Sequence, residues 1–314
     1  MSLRKGQNER KNFKKFEQRE KHSGSSYLIV IKDLKITANV LKCHRIRKLD
    51  DAVTRAGRPA AAYLLMDRIT SRKNSTIAHV RALAVDGACR REKGQYLCDG
   101  IKTLKEALAF GAEVCLVLWK EQAREVEGLS CREQYILPAE LFDYASTMKN
   151  SPGPLFAVAM PQRQKDEPLE NAVILENVQD PGNVGTVIRT ANAFGIGAVL
   201  LVGACADLYN PKTVRSTMGA IFRQRVEQLE MVELKALLRK NGLPLYGAAL
   251  SDQARDVRET ALRRAAVAIG SEGQGLSREF LALCDGQIII PMQPDSESLN
   301  AAVAASVLMW EMSK

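Results

Sequence analysis

From Ala172 to the C-terminus, short β-branched and aliphatic runs recur between segments of helical period, and this alternation leaves few folds open to the chain. The runs are Ala172–Leu175, Ala198–Val202, Gln224–Leu229, Leu245–Leu250, Val267–Gly270 and Gln287–Ile290, each read as a strand. Between them the spacing predicts helices over Val184–Phe194, from Pro211 with Asn210 as its cap, over Val232–Lys240 and over Ser277–Leu283. Strands fed by helices pair in parallel, because a parallel neighbour is reached only by a long crossover. The prediction is therefore an α/β fold with a mostly parallel sheet covered on both faces.

The last stretch, Gly286–Lys314, carries the most detail. Pro291 ends its strand by removing a ladder donor, and Leu299–Met309 is apolar at nearly every position, with Ser298 placed as an N-cap. Between them, Gln293–Glu297 is polar. A helix N-terminus after such a turn presents unpaired backbone N–H groups beyond the strand ends, where open α/β sheets bind ligands. A plain strand and helix that close a core fit the same residues.

Upstream, Arg68–Met160 alternates in the same way and reads as a smaller α/β unit, with helices over Ser75–Ala88, Ile101–Phe110 and Pro138–Met148 and strands over Gly94–Leu97, Val114–Trp119 and Leu155–Met160. The polar, Pro-bearing stretch that follows is a linker. The resulting division is a basic disordered arm over 1–26, an extension of unassigned structure over 27–67, an α/β domain over 68–161, a linker over 162–170 and a second domain over 171–314.

Charge separates these parts. Residues 1–50 hold 14 Lys or Arg against 5 Asp or Glu, so the whole net charge of +9 lies there. A basic arm on a neutral body is an electrostatic footprint of nucleic-acid binding, although a solvated tail has the same composition. No apolar run approaches the length of a membrane span, so no membrane partner is expected. Seven scattered cysteines without a CxxC pair, and three histidines, point away from a metal site or a disulfide framework and toward a reducing cytoplasm.

Three motifs carry chemistry. In Glu176–Gly195, Asp180-Pro181-Gly182 makes a tight turn, Asn183 opens a helix, Gly185 permits close backbone approach, and Arg189 follows six residues after Asn183. The planar guanidinium suits a phosphate, and equally a structural ion pair. In Ala268–Ser277, a strand ends in Gly270, Gly273 and Gly275 around Glu272, so backbone can lie close to a flat ligand. The third motif is the C-terminal stretch. A nicotinamide dehydrogenase is disfavoured, because no GxGxxG fingerprint is present.

Together, in this order, the motifs resemble the SpoU, or TrmH-like, branch of the SPOUT RNA methyltransferases over roughly Leu169–Lys314. Arg68–Met160, with ITSRKNSTIAHVRAL and LCDGIKTLKEALAFGAE, is similar to the ribosomal-protein-like substrate-binding domain that accompanies that catalytic domain. The resemblance implies transfer of a methyl group from S-adenosylmethionine to a ribose 2′-hydroxyl, most readily of ribosomal RNA, with transfer RNA a second possibility. It implies a deep trefoil knot, against the usual rule of unthreaded chains, and a homodimer formed through the C-terminal helices. It implies that Gly270, Ile290, Met292 and Leu299 surround the adenosyl group, and that Asn183, Arg189, Glu272, Ser298 and Asn300 are the polar catalytic positions. Pro294 departs from the family's glycine and bears on cofactor affinity; Ala301-Ala302 replaces a common Val-Ser. A non-catalytic RNA-binding protein is the main alternative.

The family gives Arg189 the role of base toward the ribose hydroxyl. An arginine side chain titrates above about 12, so deprotonating one at pH 7 costs about 7 kcal/mol or more. Contact with the phosphate and hydroxyl of the reacting nucleotide is the physically easier role, with Asn183 and Glu272 orienting it and Ser298 and Asn300 fixing the C-terminal loop.

Overall fold

The computed structural model describes residues 27–31, 34–38, 66–148, 150–161, 167–293 and 298–314. The basic arm, much of the 27–67 extension, the first half of the linker and Pro294 lie outside the described residues. Residues 1–65 form one unit and Met66–Lys314 another. In the first, β1 (Tyr27–Ile31) and β2 (Leu34–Ala38) pair antiparallel, with Tyr27 opposite Ala38.

The larger unit opens with a helix broken in two. Helices α1 (Ser75–Val85) and α2 (Gly87–Lys93) replace the single helix expected over Ser75–Ala88. Asp86 explains the break: its backbone ends the first helix, and its side chain accepts from the Ala88 N–H to cap the second. There follow β3 (Gln95–Asp99), α3 (Ile101–Ala109), β4 (Val114–Lys120), β5 (Glu133–Leu137), α4 (Ala139–Ala145) and β6 (Leu155–Ala159). The strands lie in the order β3-β6-β4-β5, with β4 and β5 parallel and the other pairs antiparallel. Strand β5 was not legible in the sequence, because its polar start, Glu133-Gln134, masks the apolar pattern.

Past the linker come β7 (Ala172–Glu176), α5 (Pro181–Phe194), β8 (Ala198–Val202), α6 (Pro211–Ser216), β9 (Val226–Leu229), α7 (Met231–Asn241), β10 (Leu245–Ala248), β11 (Arg255–Asp256), β12 (Ala266–Ile269), α8 (Arg278–Leu281), β13 (Gly286–Ile289) and α9 (Ala301–Met312). Their seven strands form a sheet in the order β11-β13-β10-β12-β7-β8-β9, parallel at every pairing. The period of two sorts the central strands between two cores. Val173, Leu175, Val199, Leu201, Val267 and Ile269 face α5 and α9, while Ala172, Ile174, Ala198, Leu200, Ala266 and Ala268 face α7 and α8.

The first of those cores continues into the smaller sheet, taking in Tyr96, Cys98, Val117, Trp119, Phe156 and Val158. Arg90 of α2 is 3% exposed and donates to Asp207 from Nη2 at 2.6 Å and from Nε at 3.2 Å. Its Nη1 donates to the Leu83 carbonyl at 2.7 Å, so the buried guanidinium is paired on both sides. The Tyr96 and Tyr209 rings stack nearby, with centroids 4.7 Å apart. From the linker's far end, Leu169 is buried and its N–H donates to the Asn241 side chain at 2.9 Å.

Helix α5 crosses α6 at Gly185, where a Cβ would lie 2.5 Å from both the Thr213 carbonyl oxygen and the Ser216 Cβ. The close approach that glycine permits here is that of a neighbouring helix. Helix α9 lies on α5 through a small-residue face, Ala301, Ala302 and Ala305, followed by Leu308, Met309 and Met312, all buried.

Candidate active site

Strand order fixes where a ligand can sit. From β7 the chain winds to β8 and β9 on one side, then returns to β10 and β12 on the other. Between β7 and β12 the winding reverses, and it is outside the carboxyl ends of the strands at such a point that open α/β sheets bind ligands. The first two motifs leave the sheet at those two strands.

The β7 end carries Glu176, 4% exposed, whose carboxylate accepts from the Ser277 N–H at 2.8 Å and the Ser277 Oγ–H at 2.6 Å. Ser277 in turn caps α8 by accepting from the Phe280 N–H. One buried carboxylate thus ties the first motif to the end of the second, a role the sequence reading missed because its partner lies about a hundred residues on. Removing it in Glu176→Ala leaves the Ser277 donors without an anionic acceptor. We expect a loss of about 3 kcal/mol of stability, read as a lower denaturant midpoint at unchanged slope.

Helix α5 begins at Pro181, not at Asn183 or Val184. Asp180 is the N-cap, accepting from the Gly182 N–H at 2.7 Å and the Asn183 N–H at 3.0 Å, and Pro181 occupies the first turn, where a missing N–H costs nothing. The Lys212 ammonium, 2.8 Å from Asp180, holds that carboxyl below the usual carboxylate range. With Asp180 doing the capping, the Asn183 side chain is released for tertiary contacts. Its Nδ2 donates to Glu272 of the second motif, and its Oδ1 accepts from Asn300 Nδ2 of the third at 3.3 Å.

The cap of α9 is likewise Asn300 and not Ser298. Asn300 Oδ1 accepts from the Ala302 N–H at 3.0 Å and the Val303 N–H at 3.3 Å. Both residue types cap well, and the bond to Asn183 holds Asn300 where its carbonyl oxygen reaches two helix donors. Ser298 is exposed, with no side-chain hydrogen bond among the described residues.

Three of the five polar positions thus meet in one chain of contacts, Glu272 to Asn183 to Asn300. Arg189 does not join it. It is exposed and has no hydrogen-bond or ion-pair partner among the described residues. Six residues along a helix turn it about 240° from Asn183, onto another flank of α5.

Gly270 is buried under its own loop: Gly275 N–H donates to the Ser271 carbonyl at 2.9 Å, closing Ser271–Gly275 into a tight bend with Glu272 exposed on it. Ile290 and Met292 follow β13 half-buried, and Leu299 is 36% exposed just before Asn300. Leu250, 63% exposed after β10, adds a further apolar side chain at the carboxyl end of the neighbouring strand. Sequence reasoning passed over it, because a leucine closing a strand reads as core.

The sheet order and the polar trio define the class: an open, parallel α/β domain with three polar side chains bonded to one another at the switch point of the winding. More particularly, the chain belongs to the SpoU rRNA Methylase family, whose sequence pattern matches residues 170–310. It is 32% identical to the 23S rRNA (guanosine(2553)-2′-O)-methyltransferase RlmP of Bacillus subtilis over 251 residues, covering 79% of this chain and 99% of that protein. It is 30% identical to the 23S rRNA (uridine(2479)-2′-O)-methyltransferase of Streptomyces viridochromogenes, covering 78% of this chain and 91% of that one. Among solved structures, the SpoU methyltransferase AviRb of Streptomyces viridochromogenes in complex with AdoMet superposes with a TM-score of 0.70 at 25% identity, over 77% of this chain and 97% of that one.

Proposed function

We propose that this chain transfers a methyl group from S-adenosylmethionine to a ribose 2′-hydroxyl of ribosomal RNA. The observation that carries the reading is the meeting of Asn183, Glu272 and Asn300 at the switch point, on the helix that also holds a free, exposed arginine. Family membership and two relatives named for 2′-O-methylation of 23S rRNA support it.

The residues present suit the cofactor. An adenosyl group needs apolar contact and free backbone polar groups, and the half-exposed Ile290, Met292, Leu299 and Leu250 flank strand ends and the glycine-bearing bend after Gly270. When bound, S-adenosylmethionine supplies an electrophilic methyl group on a sulfonium. The chain's own part is positional. Asn183 and Glu272 hold the sugar through their bonded pair, Asn300 anchors the start of α9 to Asn183, and Arg189 engages the phosphate and hydroxyl of the reacting nucleotide.

The smaller sheet, Gln95–Ala159, is read as the RNA-binding part. Exposed Arg72 and Arg81 lie over the Tyr144 ring, 4.6 and 4.0 Å from its centroid, leaving a cationic and aromatic surface suited to nucleotides. A threaded C-terminus is supported by the course of the chain. After β13, three strand positions from β7, it returns to α5 and bonds Asn183.

A homodimer through α9 is supported by its unburied side. Val303 and Trp310 are 49% and 53% exposed seven residues apart on α9, apolar side chains on one face of the kind that associating helices bury. Trp310→Lys is expected to convert a sedimenting dimer to a monomer without lowering helix content. A wild-type protein that sediments as a monomer at assay concentration removes this part of the reading.

The decisive experiment is transfer of labelled methyl groups to ribosomal RNA extracted from a strain lacking the gene, with transfer RNA as a second arm and mapping of the modified ribose. RNA binding without transfer to either RNA would instead make the protein a non-catalytic binder.

A further inference from the structure

We infer that Glu106 of the smaller sheet's helix α3, acting through Arg223, is a positioning residue for the catalytic helix α5. The inference rests on the reading of Arg189 given above and assigns a role to residues outside that site.

Arg223 follows a short 3-10 turn, Ala220–Phe222, at the edge of the larger sheet's helices. Its guanidinium is held from three directions. Nη1 donates to the Glu106 carboxylate, Nε donates to the Asn192 side-chain carbonyl at 3.1 Å, and the Phe110 ring lies 4.9 Å from the guanidinium carbon. Glu106 and Phe110 both belong to α3 or its cap, whereas Asn192 belongs to α5. The arginine therefore bridges an element of the RNA-binding sheet to the helix that carries Asn183 and Arg189.

Position on α5 gives the bridge its meaning. Asn192 lies three residues beyond Arg189, so the two side chains are surface neighbours one turn apart. At this end of the helix Arg223 bonds Asn192 and the Phe194 ring packs on Trp310 of α9, while at the other end Asn183 is bonded to Glu272 and Asn300.

The Arg223 and Glu106 side chains are 30% and 41% exposed, so the ion pair adds little stability. What a planar fork held on three sides supplies is geometry. Misplacing a reacting group by about 1 Å costs on the order of 100-fold in rate, so loss of the bridge falls on transfer and leaves melting nearly unchanged. The buried Arg90–Asp207 pair and the shared core keep the two sheets in register around it.

Charge reversal tests the bridge on the full chain. In E106R and in R223E, kcat/KM for extracted ribosomal RNA is expected to fall about 10-fold or more, with S-adenosylmethionine affinity measured by calorimetry unchanged. The double variant E106R/R223E restores the pair with its charges exchanged and should recover most of the loss. Amide hydrogen exchange over residues 181–194 reads the position of α5 without any transfer, and should rise in each single variant and return in the double. Exchange unmoved by the single variants, or not restored by the double, overturns the inference. A wild-type protein that transfers nothing, with exchange responding as expected, overturns the methyltransferase reading and upholds the bridge.

Discussion

Arg189→Ala is expected to reduce methyl transfer by about 100-fold to 1,000-fold while leaving the fold intact. The second part follows from its setting: the side chain is exposed and makes no hydrogen bond or ion pair among the described residues, so its removal breaks neither. The first part follows from the role proposed for Arg189 toward the reacting nucleotide. Its fork suits a phosphate, and a cation brought beside the ribose oxygen stabilises negative charge as it develops there. Arg189→Lys separates two roles. A lysine keeps the charge and loses the fork, so near-normal kcat with a raised KM for RNA assigns Arg189 to binding the phosphate. A collapse of kcat at unchanged RNA affinity places it at the hydroxyl in the transition state.

Gly270→Ala should destabilise the protein by about 3 kcal/mol or more, because its new Cβ has nowhere to go. That atom would stand 1.9 Å from the Gly275 carbonyl carbon and 2.2 Å from the Leu276 nitrogen, both backbone atoms of the same bend. No rotamer relieves such a contact, so the loop must open. Glu272 sits on that loop and Ser277 follows it, so opening also draws the carboxylate from Asn183 and the cap from Glu176. The midpoint of thermal unfolding is expected to fall by about 6–12 °C, and the S-adenosylmethionine affinity of the folded fraction should fall with it. An alanine variant that melts with the wild type would show that the bend is not closed over Gly270 in solution.

The strand and helix alternation was legible from Ala172 onward because burial on both faces of a parallel sheet forces continuous apolar runs, and those runs survive without knowledge of their neighbours. The three motifs were legible for a related reason: tight turns and helix starts use a small set of residues. Errors fell where two local solutions compete. Asp180 and Asn183 can both open a helix, as can Ser298 and Asn300, and the choice went to the geometry that leaves Asn183 and Asn300 bonded to each other. Strands β5 and β11 were missed because the first begins with polar residues and the second is two residues, Arg255-Asp256, joined to an edge.

Sequence alone therefore determined most of the secondary elements, the parallel sheet and the residue types gathered in the motifs, since each depends on periodicity and turn chemistry within a few residues. Tertiary structure decided the rest. It set the strand order that places the switch point between β7 and β12, brought Glu272 to Asn183 across 89 residues and Glu106 to Arg223 across 117, and left Arg189 exposed and unpaired among the described residues. Such contacts are fixed by how whole layers pack, and no local pattern in a chain encodes which distant side chain will arrive opposite another.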